Sequence, residues 1–356
     1  AASLAYFGKE PKRLSLGEAA LLVAIPQSPE ARRPDRAPVM ARSARDGVIA
    51  RLVTAGALSS ADAARAKREK VPEARQPMPL LAPHAADEAR LRFPGQSVIR
   101  LTLDQRLQID LEALVRERIA LHGPDVSMAL LAVDHASGEI RARVGSADFL
   151  DARRAGQVDM TRALRSPGST LKPFIYGLAF EDGFAHPQSL IEDRPLRFGS
   201  YAPENFDMTF QGTVSVAHAL QMSLNVPAVA LLERVGAHRL AARLTQAGGH
   251  LVFPKDEAPG LAMGLGGLGV TLNDLVGLYT GLARQGESIA LTQYPRMAGQ
   301  DIQRRRLLDK IAAWQVGHVL IGTPPPTNGA AGRIAFKTGT SYGYRDAWSV
   351  GFDGRY

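Results

Sequence analysis

The 356-residue chain contains no cysteine. That excludes disulfides, cysteine-ligated zinc and thiol catalysis. Its eight histidines fall into neither an HExxH nor a His-x-His spacing, so no histidine-based metal centre is expected. No run of about twenty apolar residues occurs, the length that a membrane-crossing helix needs. Aromatic residues are few, at 6%, and they do not interleave with Lys and Arg. The net charge of +8 is spread out, notably through residues 31–75, and does not form the single basic stripe that grips nucleic acid. A diffuse basic balance suits an anionic surface or polymer instead. What is present is ordinary for a globular protein: 45% hydrophobic and 22% charged residues. The length exceeds that of a usual single domain, so two or more units are expected.

Residues 1–75 read as helical. Ser15-x-x-Glu18 is a capping box, in which the hydroxyl takes a free N–H of the first turn and the Glu reaches back to the cap. The apolar run 19–25 follows and Pro26 ends it. Further helices are expected over 39–54 and from about Ser60 to Val71. Residues 76–97, which include Pro77, Pro79, Pro83 and Pro94, read as a linker. Order resumes at 101–122, a helix with Asp104 as its N-cap. Residues 128–133 and 139–144 form a strand–turn–strand pattern. A mostly helical stretch from Ser169 to about Gly249 follows, and late strands lie near 335–336 and 347–352. Strands at both ends of a helical middle suggest one antiparallel sheet whose first and last parts meet, with helices against it. Gly264-Leu265-Gly266-Gly267-Leu268-Gly269 matches GxGxxG literally. It lacks a preceding strand and a βαβ context, so it reads as a turn before the helix 272–284, not as a dinucleotide site.

Three short strings carry chemistry: Ser169-Thr170-Leu171-Lys172, Ser223-Leu224-Asn225 and Lys337-Thr338-Gly339-Thr340. Ser-x-x-Lys alone arises by chance about once in a chain of this length. Ser169 opens an apolar helical segment, where free backbone N–H groups favour developing negative charge. Lys172 lies one turn on, so its amine can sit over the Ser169 hydroxyl. Nearby positive charge and burial would make that lysine neutral enough to act as a base. Ser223 and Asn225 lie between two helical patterns; a hydroxyl can relay a proton and a carboxamide can donate and accept at once. Gly339 lets another backbone approach an edge strand closely. Lys337, Thr338 and Thr340 offer a cation and two hydroxyls for a carboxylate, and a backbone N–H there could serve an oxyanion hole. Taken singly, each string is also ordinary helix-boundary or turn chemistry. Occurring once each and in this order, they are the set that serine penicillin-binding enzymes share.

With their flanks, the strings resemble the transpeptidase domain of class A, bifunctional penicillin-binding proteins, in particular the 1C type. The flanks are Arg165-Ser166-Pro167-Gly168 before the first string, Val226-Pro227-Ala228 after the second and Ser341-Tyr342-Gly343-Tyr344-Arg345-Asp346-Ala347-Trp348 after the third. Tyr201-x-Pro-x-Asn205-Phe206 matches the same group. Tyr6-Phe7-Gly8-Lys9, Leu14–Leu22 and Pro26-Gln27-Ser28-Pro29 resemble the last motif and tail of the peptidoglycan glycosyltransferase domain. The resemblance implies a mixed α+β, penicillin-binding/β-lactamase-like fold: an antiparallel sheet flanked by a helical subdomain and preceded by an all-α remnant. The expected division is 1–75 for the glycosyltransferase remnant, 76–97 for the linker and 98–356 for a transpeptidase domain truncated at its C-terminus.

The same resemblance implies the roles. Ser169 attacks the D-Ala–D-Ala carbonyl of a cell-wall stem peptide, and Lys172 takes its proton. Ser223 passes a proton to the leaving D-Ala amine, while Asn225 holds Lys172 and the peptide backbone. Lys337, Thr338 and Thr340 bind the terminal carboxylate, beside Gly339, and the N–H groups of Ser169 and Thr340 form the oxyanion hole. An amine of a second stem peptide accepts the acyl group, and β-lactams are covalent inhibitors. No metal, organic cofactor or nucleic acid is implied. The catalytic glutamates of glycosyl transfer lie in motifs upstream of this sequence, so that activity is not expected here. Glu18 reads as a helix cap. Membrane contact is expected only through an N-terminal anchor outside this sequence, with the protein at the periplasmic face of the inner membrane. The alternatives are a D,D-carboxypeptidase or β-lactamase, in which water takes the acyl group, and a non-catalytic β-lactam-binding module.

Overall fold

The structure is a computed structural model and describes residues 2–76, 80–199, 201–255, 257–297, 299–327 and 329–356. The chain divides into two compact units, Ala1–Leu81 and Ala82–Tyr356.

The first unit is helical: α1 (Ala2–Phe7), α2 (Leu16–Ala24), α3 (Pro38–Thr54) and α4 (Ser60–Arg68). The capping box at α2 forms as expected, with Ser15 Oγ accepting from Glu18 N and Glu18 accepting from Ser15 N. Ala20, Ala24, Val48, Ile49, Ala63 and Ala66 form a small core between α2, α3 and α4. Its small side chains let the helices approach closely. Arg45, 1% exposed, donates to the carbonyls of Lys67 (2.7 Å) and Glu69 (2.6 Å). It thereby satisfies carbonyls that the C-terminus of α4 leaves free.

The second unit begins with α5 (Pro83–Arg92) and α6 (Gln105–Ile119), followed by the hairpin β1 (Leu130–Asp134) and β2 (Glu139–Val144). Then come α7 (Lys172–Glu181), β3 (Leu190–Asp193), β4 (Gly212–Ser215), α8 (Val216–Gln221), α9 (Asn225–Val235) and α10 (Ala237–Gln246). The unit closes with α11 (Leu272–Ala283), β5 (Glu287–Ile289), β6 (Arg304–Arg306), α12 (Lys310–Ile321), β7 (Ala335–Thr340) and β8 (Ala347–Phe352). Helix α7 is the axis of the unit. Every residue from Lys172 to Phe180 is buried, as an apolar helix without a polar face must be. It is packed among side chains of α8, α9, α10, α11 and α12 in one continuous core.

Three expectations change. The segment 76–97 is not linker throughout: Pro83–Arg92 is helix α5, with His84, Ala85 and Ala89 buried. Pro83 occupies the first turn, where its missing N–H costs nothing. Glu88 of α5 meets the buried Arg143 of β2 at 2.7 Å, which fastens α5 to that hairpin. Pro77 and Pro79 lie outside the described residues. Second, the stretch 169–249 is interrupted by the antiparallel pair β3–β4, in register Leu190↔Ser215 to Asp193↔Gly212.

Third, the early and late strands do not join in one ladder. β1–β2 and β7–β8 are separate antiparallel pairs. Between β1 and β8 runs a groove of about 1480 Å³, floored by Leu272, Val276 and Tyr279 of α11. The two pairs touch at one end, where His135 N donates to Arg355 O at 3.1 Å. The mixed helix-and-sheet class stands.

Candidate active site

The three strings converge at one end of α7. Ser169 lies in a 3-10 turn, Gly168–Leu171, that leads directly into α7, and Lys172 is the first residue of that helix. The turn is held on several sides. Thr170 Oγ1 donates to Pro167 O at 2.8 Å, Tyr279 Oη to Thr170 O at 2.8 Å, and Trp348 Nε1 to Ser166 O at 2.8 Å. Beside it, Arg165 and Val270 pair through their backbones.

Strand β7 runs against this turn so closely that neither side has room for a side chain. A Cβ on Gly168 would lie 2.5 Å from Thr340 O and 2.7 Å from Thr340 N. One on Gly339 would lie 2.5 Å from Pro167 O. Gly168 also has φ +53°, a left-handed backbone that glycine adopts without penalty. The two glycines thus set the spacing between the backbones of Ser169 and Thr340.

The second string supplies the opposite wall, on the connection between α8 and α9. Ser223 has φ +62°, uncommon for a residue with a side chain. Lys172 Nζ donates to Ser223 O (2.6 Å), Leu224 O (3.1 Å) and Asn225 Oδ1 (2.6 Å), and lies 3.4 Å from Ser223 Oγ. Lys337 Nζ donates to Ser223 Oγ at 2.7 Å and to Thr338 O at 2.9 Å. Two lysines therefore meet at one serine hydroxyl. Strand alternation buries Lys337 and Gly339 and exposes Thr338 and Thr340, so the two hydroxyl-bearing residues face solvent.

Electrostatics follow from burial. Lys172 is 0% and Lys337 2% exposed. Burial, and then the neighbouring Lys337 charge, pull the Lys172 amine well below its ordinary value, while Asp193 opposes them. Burial brings Lys337 down to about 8. Lys337 is thus a cation below that pH and loses its charge above it. Capture of a carboxylate-bearing ligand at this cation is expected to weaken through a single titration near pH 8. In Lys337→Arg, which holds its proton, that fall should vanish from the pH profile of ligand binding.

The structure brings Lys172, Ser223, Asn225 and Lys337 into direct hydrogen-bond contact. It does not place the Lys172 amine in a hydrogen bond with Ser169: among the described residues, Ser169 Oγ makes none. The lysine is drawn instead to the carbonyls and carboxamide of the second string. Two further features escaped the sequence reading. Asn205, 3% exposed, accepts from Asn225 N at 2.7 Å. Phe206 and Tyr344 stack edge to face, with ring centroids 5.6 Å apart. Both Asn205 and Phe206 belong to the Tyr201-x-Pro-x-Asn205-Phe206 string, which was the available signal. Among the described residues no group of three or more His, Asp or Glu could hold a metal ion. The large groove between β1 and β8 lies apart from this chemistry, since Ser169, Lys172, Ser223 and Lys337 do not line it.

Residues 128–353 match the family described as penicillin binding protein transpeptidase domain. The chain belongs to this family. Residues 1–53 match a second family, transglycosylase. Penicillin-binding protein 1C of Escherichia coli K12 is 42% identical over 360 residues, covering 100% of this chain and 46% of the relative. Penicillin-binding protein 1F of Bacillus subtilis 168 is 28% identical, covering 99% and 53%. The chain thus spans about half the length of these relatives. A crystal structure of penicillin-binding protein 1A from Haemophilus influenzae aligns with TM-score 0.67 at 17% identity, covering 99% of this chain and 76% of the other. The PonA1 protein of Mycobacterium tuberculosis, solved in complex with penicillin V, aligns with TM-score 0.62 at 24% identity, covering 72% and 74%. These two likenesses bear on the fold.

Proposed function

We propose that the second unit is a serine-type D,D-transpeptidase that cross-links peptidoglycan stem peptides. The observation that carries this reading is the meeting of two buried lysines at Ser223 Oγ, with Asn225 Oδ1 on Lys172. A buried amine with depressed proton affinity can take a proton from a hydroxyl near neutral pH.

In the proposed reaction, Ser169 Oγ bonds to the carbonyl carbon of the penultimate D-Ala, and Lys172 accepts the hydroxyl proton. The N–H groups of Ser169 and Thr340 stabilise the oxyanion. The peptide C–N bond then breaks. Ser223, linked to both lysines, hands a proton to the departing D-Ala nitrogen. Lys337, Thr338 and Thr340 hold the terminal carboxylate of the donor. The amine of a second stem peptide attacks the ester, releases Ser169 and completes the cross-link. The match of residues 1–53 to a transglycosylase favours an amine acceptor over water, because it associates this unit with strand synthesis. Glycosyl transfer itself is not proposed for these residues. This activity is proposed to lie at the periplasmic face of the bacterial inner membrane.

A fluorescent penicillin tests this directly. A covalent band that persists for hours is expected on the intact protein and none on Ser169→Ala. Absence of a band on folded wild-type protein would sink the acyl-enzyme reading. A band that decays in minutes would transfer the protein to the hydrolases.

A further inference from the structure

The carboxamide of Asn225 serves Lys172 only if its oxygen faces the amine, and an amide can present either end. Its orientation is set by Glu204, whose carbonyl accepts from Asn225 Nδ2 at 2.6 Å. The backbone of Asn225 is set by Asn205, whose Oδ1 accepts from Asn225 N at 2.7 Å. Asn205 has the same ambiguity, and Asp193 resolves it. A carboxylate only accepts, so Asn205 must turn Nδ2 to it and Oδ1 away. Asn205 Nδ2 donates to Asp193 Oδ1 (2.8 Å) and Oδ2 (2.9 Å), and to Thr209 O (2.9 Å).

Asp193 is 0% exposed. Its hydrogen-bond donors are neutral amides: Asn205 Nδ2 and Gln211 N, the latter at 2.8 Å. A buried carboxylate held this way is costly, and its position behind the second string gives it a use. We propose that Asp193 and Asn205 are positioning residues of the active site: the acceptor-only carboxylate fixes the sense of the Asn205 amide, which holds the start of α9 so that Asn225 Oδ1 meets Lys172 Nζ. This rests on the acyl-enzyme reading above and assigns a role to the Tyr201–Phe206 string.

The charge of Asp193 also acts at a distance. The charged and titratable groups around Lys172 are Lys337 from β7, Asp193 from β3 and Tyr176, one turn further along α7. The loop from Ser223 to Asn225 presents neutral groups. Asp193 favours the protonated form of Lys172. It also helps to keep Tyr176, whose buried hydroxyl has no partner among the described residues, from ionising.

The test measures the acylation rate with fluorescent penicillin against pH, with thermal unfolding as the check on folding. Asp193→Asn and Asn205→Asp should each slow acylation by about ten-fold or more, the size of a coupling between directly bonded groups. In Asp193→Asn the rising limb of the pH profile should also move to lower pH, because the group that favours protonated Lys172 is gone. The double variant Asp193→Asn/Asn205→Asp exchanges donor and acceptor ends between the two residues and keeps an acceptor on Asn225 N, though Thr209 O loses its donor. It should recover part of the lost rate, and it reads out even if one single variant fails to fold. Folded single variants that acylate at the wild-type rate, or a folded double variant no faster than the single ones, overturn the proposal. Wild-type protein that does not acylate overturns the acyl-enzyme reading instead.

Discussion

Lys172→Met is expected to slow acylation by about 10²–10⁴-fold, the range over which a positioned general base acts. Three features combine to give an effect of that size. The lysine is fully buried, so water cannot reach the amine freely to replace it. Its proton affinity is lowered first by that burial and then by Lys337, which shifts the amine toward its neutral form. It is also held beside the second string by donation to Ser223 O, Leu224 O and Asn225 Oδ1, of which the neutral amine can keep two while its lone pair takes a proton. The rate should rise with pH through the titration of Lys172, since only the neutral amine can take a proton. That rising limb should be absent in Lys172→Met. Timed labelling with fluorescent penicillin across pH measures both effects. A variant with wild-type rate and limb would remove Lys172 from the base role.

Gly168→Ala should lose nearly as much without removing any reactive atom. The added Cβ would lie 2.5 Å from Thr340 O, far inside van der Waals contact, and Thr340 belongs to a paired strand that cannot retreat freely. The backbone at residue 168 would also be left at φ +53°, where a side chain is disfavoured. Strain and overpacking together are expected to cost about 1–3 kcal/mol of stability. Because the N–H groups of Ser169 and Thr340 would move apart, the acylation rate should fall by about 10²–10³-fold, as for loss of an oxyanion donor. Denaturant unfolding gives the first quantity and penicillin labelling the second. Retention of both would mean that the spacing of β7 from the Ser169 turn is not fixed by the two glycines.

Much of the fold is legible in local chemistry. Ser15, Asp104 and Pro227 mark helix starts that form where the residues imply: the α2 cap, the α6 cap and the first turn of α9. Helix α5 is hidden because its proline at the first turn looks like one more break in a proline-rich segment. The β3–β4 pair is hidden because strands of four residues carry too little alternation to stand out from flanking helices. The separation of β1–β2 from β7–β8 is a matter of distant pairing, which no local pattern encodes.

The site divides the same way. The three strings announce Ser169, Lys172, Ser223, Asn225 and Lys337, because each side chain is chemically distinctive and sits at short spacing from a partner. What a string cannot convey is which groups meet across the chain. Lys172 faces residues 51 to 53 positions away in preference to the serine three positions before it. Asp193 gives no signal at all, since a lone aspartate at the end of a short strand has the composition of a turn. Its partner Asn205 sits in a recognisable string, yet that string names no task.

Helix α7 joins the chemistry to the core more tightly than a loop-borne site would be. Lys172 is its first residue, and its next two turns are buried on every side. An amine mounted there cannot be released by fraying of a surface element, because the segment that carries it opens only with the whole unit. Ser223 and Asn205, by contrast, ride on connections between elements. Hydrogen exchange is therefore expected to be slowest along α7, and faster in the connections that carry Ser223 and Asn205, so that adjustment to an incoming peptide would fall to the second wall.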